Sequence, residues 1–144
     1  MAITHDTKVG QIVLSGRAHN GVQIDAGFSG KETSSTKIVN DEWSVSIPGK
    51  LIAGKQKIFA VLLGKNGKVL SENSITISGK TIQNANGKTF VVVQKGDALW
   101  NIAYQRLGLG NRYIDIVNLN KNKIINPDLI FPKQLFIIPN KGTN

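Results

Sequence analysis

The sequence predicts two small domains: an all-β amino-terminal domain and an α+β carboxy-terminal domain of strand–helix–helix–strand order. Three observations carry this expectation. Residues 1–80 read as short, Val/Ile/Thr-rich segments bounded by turn dipeptides. Residues 89–140 switch to helical spacing between two apolar runs. Between them, residues 79–88 (GKTIQNANGK) are polar and rich in Gly and Asn, so residues 81–88 are taken as a linker.

In the first region, strands are expected at 10–17, 22–28, 35–39, 42–47, 56–63 and 69–77, with turns at 19–21, 40–41, 48–49 and 65–67. Segments of this length repeating every 8 to 12 residues are the pattern of an antiparallel sandwich. Trp43, Val45 and Ile47 alternate with Ser44 and Ser46, so one face is apolar and Trp43 is expected as a core anchor. Asn66-Gly67 suits a type I′ hairpin, which needs positive φ at both central residues. The first residues, including His5, are read as a tail.

In the second region, the run 90–93 predicts a strand and Gly96-Asp97 breaks it. Leu99, Ile102, Ala103 and Leu107 then recur at helical spacing, with Asp97 expected to cap the helix and Gly108 to end it. Tyr113, Ile116, Val117 and Leu119 predict a second short helix. Asn126-Pro127-Asp128 predicts a turn, and residues 135–138 a final strand closed by Pro139.

Composition excludes several classes. The 144 residues include no Cys, so disulfides, thiolate catalysis and cysteine zinc sites are closed off. No apolar run approaches the roughly 20 residues that span a bilayer, and MAITHDTKVG lacks the basic and apolar regions of an export signal. The chain is therefore expected to lack a signal peptide and to be cytoplasmic as synthesised. Ten basic and six acidic residues in 1–80, and eight and three in 81–144, spread the +9 charge over both halves. Such a field attracts polyanions, but sparse aromatic interleaving argues for a solvated Lys-rich surface over a dedicated nucleic-acid site.

A catalytic reading finds little support. The two histidines, His5 and His19, both lie near the amino end, and paired carboxylates would have to come from Asp25, Glu32, Asp41, Glu42 and Glu72. Asp41 and Glu42 are better read as a solvated turn. No phosphate loop, dinucleotide fingerprint or calcium loop is present. No enzyme activity, cofactor or metal is expected.

The words of the second region carry a resemblance. Residues 90–139, "FVVVQKGDALWNIAYQRLGLGNRYIDIVNLNKNKIINPDLIFPKQLFIIP", resemble one complete LysM module, whose pattern runs "xxGDTLWxIA", "xxIxxxN" and "NPDLIxPGQxLxIP". Residues 40–79 are similar in spacing to bacterial Ig-like repeats, which act as spacers or docking modules. The LysM resemblance implies binding of N-acetylglucosamine-containing glycans such as peptidoglycan or chitin, in a groove between two loops. Carried onto this chain, these loops are Gly96, Asp97, Ala98 and Leu99, and Asn126, Pro127, Asp128, Leu129, Ile130 and Phe131. An N-acetyl group needs a small apolar pocket for its methyl and backbone partners for its amide.

Each position also has a plain structural reading. Trp100 fits helical core spacing better than a sugar-stacking role, Leu129 fits a core plug, and of Ile130 and Phe131 one is expected to be exposed. Two positions depart from the LysM pattern. Ala98 replaces a hydroxyl residue that would cap the helix or meet a sugar, and Lys133 replaces a Gly where positive φ is expected.

The expected function is a non-catalytic glycan-binding adaptor, associated with the cell envelope, whose Ig-like domain spaces the module or docks another protein. The alternative is a baseplate or tail component of a phage or contractile injection machine. A third possibility is a cytoplasmic ion-sensing protein, since a small two-domain LysM protein of that kind exists, but its partner domain is of another type and no cluster of acidic oxygens here suggests a cation site. The sequence does not choose between the first two readings.

Overall fold

The computed structural model describes residues 1–6, 8, 10–85 and 87–139. Asn86, in the expected linker, and Asn140, the last residue of the expected second domain, lie outside the described residues. The chain divides into two compact units, Met1–Gly87 and Lys88–Asn144.

The first unit is mostly β. Its strands are β1 (Ala2–Asp6), β2 (Gln11–Arg17), β3 (Gln23–Phe28), β4 (Thr33–Lys37), β5 (Glu42–Ile47), β6 (Lys55–Leu63) and β7 (Val69–Ser78). They pair antiparallel in the orders β5-β2-β1 and β4-β3-β6-β7. Period-two alternation sends Ile12, Leu14, Trp43 and Ile47 inward from the first set and Ile24, Ala26, Phe28, Ile58, Ala60 and Ile77 from the second. Trp43 is buried as expected and lies over its register partner Gly16, where an added Cβ would come within 2.8 Å of the indole.

Three expectations for this unit need correction. The residues read as a tail form β1, with Ala2 and Ile3 fully buried and His5 paired with Ile12. Two apolar residues before a polar stretch were too short a signal, and only pairing with β2 supplies the missing hydrogen bonds.

The 65–67 hairpin exists, but positive φ there falls on Gly67 (74°) and not on Asn66. Gly67 N–H donates to the Gly64 carbonyl (3.0 Å) and Gly64 N–H to the Lys68 carbonyl (2.9 Å). This is the longer loop with a left-handed Gly after the turn, which absorbs the extra residue. The double-positive turn sits instead at Asn40 (53°) and Asp41 (63°), where Val39 and Glu42 exchange both backbone bonds at 2.9 and 3.0 Å.

The expected linker begins with a short helix, α1 (Gly79–Asn84). Ser78 caps it by accepting from Thr81 N–H at 3.1 Å, and Ile82 is buried. Gly79 is required by close approach, since a Cβ would lie 2.0 Å from the Ile52 carbonyl oxygen.

The second unit follows the expected order: β8 (Thr89–Val92), α2 (Leu99–Leu107), α3 (Tyr113–Leu119) and β9 (Leu135–Ile138). A 3-10 turn at Gly110–Arg112, not foreseen from the sequence, leads into α3. β8 and β9 pair antiparallel, and Phe90, Val92, Leu99, Ile102, Ala103, Leu107, Ile116, Phe136 and Ile138 form the core. Gly108 ends α2 in the left-handed conformation (φ 84°), its N–H donating to the Tyr104 carbonyl.

Candidate functional site

The first expected loop is shaped by its own hydrogen bonds. Gln94 N–H donates to Asp97 Oδ2 (2.8 Å), and Asp97 N–H donates to the Gln94 carbonyl (3.0 Å). Asp97 therefore closes the turn before α2 and, contrary to the expectation from its spacing, does not cap the helix. The capping position is Ala98, in extended conformation (φ −126°, ψ 151°), and no side chain meets the first-turn amides. Those amides point outward at the start of the helix. Gly96 takes φ 88°, which the turn requires.

The second loop is equally self-contained. Asn126 Oδ1 accepts from Asp128 N–H (3.0 Å) and its carbonyl from Leu129 N–H (2.9 Å), so Pro127 sits in a closed Asx-type turn. Phe131 N–H donates to Gln134 Oε1 (2.6 Å), and Gln134 N–H returns to the Phe131 carbonyl (3.2 Å). Lys133 N–H donates to the Val93 carbonyl (2.8 Å) and Val93 N–H to the Gln134 carbonyl (2.9 Å). These two bonds tie the end of the second loop to the strand that opens into the first.

A groove of about 470 Å³ lies where the loops meet, lined by Asp97, Ala98, Leu99, Trp100, Tyr113, Pro127, Asp128 and Ile130. Six of the ten residues expected at the site therefore share one groove. Gly96 and Asn126 shape its turns without lining it. Leu129 and Phe131 do not line it and are exposed. The core-plug reading of Leu129 is thus overturned, while Ile130 is half-buried beside the exposed Phe131. A type I-like closed turn turns Leu129 to solvent regardless of its apolarity, because the backbone bonds fix its direction.

Two lining residues were missed as site residues. Trp100, expected to be partly buried, is 54% exposed, and Tyr113, whose spacing predicts only a helix, lines the groove as well. Their ring centroids are 6.4 Å apart at 45°. The signal available in the sequence was that Leu99, Ile102 and Ala103 already fill the inward face of α2, which leaves Trp100 on its flank.

Of the residues weighed for catalysis, Asp25, His19, Asp41 and Glu42 make ordinary surface pairs. Asp25 accepts from Gln23 (2.8 Å) and Ser35 (2.6 Å), His19 lies 3.2 Å from Asp41, and Glu42 lies 3.5 Å from Arg17. Among the described residues no three His, Asp or Glu side chains gather as a metal site. No described helix is long and apolar enough to cross a membrane.

Comparison with known proteins finds one family model that matches within the second unit and similarity to two further proteins. The chain is 28% identical over 113 residues to the potassium binding protein Kbp of Escherichia coli O6:H1, a match spanning 78% of this chain and 73% of that protein. A solved MoCVNH3 variant in complex with (N-GlcNAc)4 aligns with 59% of this chain and 56% of its own, at 22% identity and a TM-score of 0.32. The LysM domain model matches residues 91–139, so this stretch, which contains both loops and the groove, is a LysM domain.

Proposed function

We propose that the protein is a non-catalytic adaptor that binds N-acetylglucosamine-containing glycan, peptidoglycan in the first instance, through the groove of its second unit. The observation that carries this reading is the convergence of Asp97, Ala98 and Leu99 with Pro127, Asp128 and Ile130 on one groove within the LysM domain. Leu99 and Ile130 offer apolar contact for an acetyl methyl. The uncapped amides at the start of α2 offer donors for its carbonyl. The amino-terminal unit, read as Ig-like, serves as spacer or docking module.

The test is sedimentation of the whole protein with insoluble peptidoglycan stripped of anionic polymers, at raised salt. Salt matters because a +9 protein binds anionic walls without reading sugar, and such attraction is screened beyond roughly 8 Å at physiological strength. Wild type is expected to pellet and Ile130→Asp to remain in solution. Equal pelleting of both would refute the groove as the binding site.

One observation favours a second reading. The similarity to the potassium binding protein extends over 113 residues, well beyond the 91–139 stretch, so the likeness is not confined to the LysM domain. Under that reading potassium, and not sodium at equal ionic strength, raises the melting temperature.

A further inference from the structure

Trp100 is an aromatic whose position is set by a missing side chain. A Cβ built on Gly110 would lie 2.1, 2.4 and 2.5 Å from Trp100 Cε2, Nε1 and Cδ2, so the indole rests flat on the Gly110 backbone. Gly110 does not have positive φ, so glycine is needed here for close approach and not for an unusual dihedral. Tyr113 flanks the indole at 6.4 Å and 45°. Although the indole lies against Gly110, Trp100 is 54% exposed, and both aromatics line the groove.

The groove's charge is the second observation. Its lining holds two carboxylates, Asp97 and Asp128, and no Lys or Arg, although the chain carries 18 basic against nine acidic residues. A sugar bearing its own carboxylate would meet like charge there, which opposes binding.

Resting on the glycan reading above, we propose that Trp100 is a stacking platform for an uncharged pyranose ring, held in place by Gly110 as a positioning residue, and that the groove rejects uronate rings, whose carboxylate is carried on the stacked ring itself. A pyranose with equatorial substituents presents a flat C–H face that matches an exposed indole face. The other polar atoms of the ring then point sideways to the two loops. Gly110 touches no ligand in this scheme; it keeps the indole low enough to leave room above it.

The test is calorimetric titration of the full chain with chitotetraose, together with tryptophan emission, in which Trp43 is a buried, constant background. Wild type should bind with a blue shift, and Trp100→Ala should lose affinity by about tenfold or more, while Trp100→Tyr stays within about threefold. Gly110→Ala should lose both affinity and the shift while Trp100→Tyr keeps its affinity. A β-1,4-linked tetramer of uronic acid should not bind.

If wild type binds chitotetraose and Trp100→Ala binds equally well, the platform is wrong and the glycan reading survives. Uronate binding as tight as chitotetraose overturns the charge selection alone. If wild type binds no glycan, both readings fall. Should Gly110→Ala not fold, the comparison of Trp100→Ala with Trp100→Tyr still decides.

Discussion

The Asn120 side chain hydrogen-bonds both backbone groups of Ile137: its Oδ1 accepts from Ile137 N–H at 2.8 Å and its Nδ2 donates to the Ile137 carbonyl at 2.7 Å. The same Nδ2 donates to the Ile116 carbonyl at 2.7 Å, and the residue is buried. Asn120 thus serves as a one-residue strand beside β9 and fastens α3 to it. In the motif "xxIxxxN" this is the Asn, with Ile116 four residues earlier in the core.

Asn120→Ala is therefore expected to destabilise the second unit by about 2–4 kcal/mol, since each orphaned backbone partner costs about 1–3 kcal/mol. Asn120→Asp should be no better at neutral pH, because a carboxylate accepts from Ile137 N–H but cannot donate to either carbonyl. Urea unfolding followed through Trp100 emission measures both. Stability equal to wild type in Asn120→Asp would show that the two donated bonds contribute nothing.

Ala98 leaves the first turn of α2 without a cap. Ala98→Thr or Ala98→Ser places a hydroxyl at a backbone already in the extended conformation a cap needs, and should stabilise the unit by about 0.5–1.5 kcal/mol. The unfolding midpoint gives the stability effect. Titration with chitotetraose shows whether the hydroxyl also competes with ligand for the same amides.

Lys133 adopts φ 71°, as the departure from Gly implied. A left-handed L-residue costs about 1–2 kcal/mol, against roughly 0.5–1 kcal/mol of extra chain entropy that a Gly loses on folding. Lys133→Gly should accordingly be stabilising by about 0.5–1 kcal/mol, and Lys133→Val, β-branched at positive φ, destabilising. Thermal melts of the two variants should move in opposite directions.

Trp43 is the anchor of the first unit, so Trp43→Ala should cost about 3–5 kcal/mol through the cavity it leaves. Gly16→Ala should cost about 1–3 kcal/mol by overpacking against the same ring. If the units carry separate cores, both variants lower one thermal transition and leave glycan sedimentation intact. Loss of sedimentation together with that transition would show one shared core.

Much of the architecture follows from the sequence alone, for a local reason. Strand and helix positions such as 42–47 and 99–107 are set by which residues alternate or recur, and Gly108 ends its helix through its own backbone freedom. The need for unusual φ at 133 is likewise a property of one residue and its neighbours. What the chain does not state is which partner completes a hydrogen bond. Asp97 turned back to Gln94 and left the capping position to Ala98, which has no side-chain acceptor, a choice between two nearby amides that spacing does not rank. β1 became a strand because β2 offered it a partner, and the double-positive turn fell at Asn40-Asp41, where Val39 and Glu42 pair. Trp100 faces the groove because Gly110, ten residues on, lets the indole lie on its backbone. Such contacts between distant residues are fixed when the surfaces meet, so the groove's aromatic wall was decided by tertiary packing and not by local pattern.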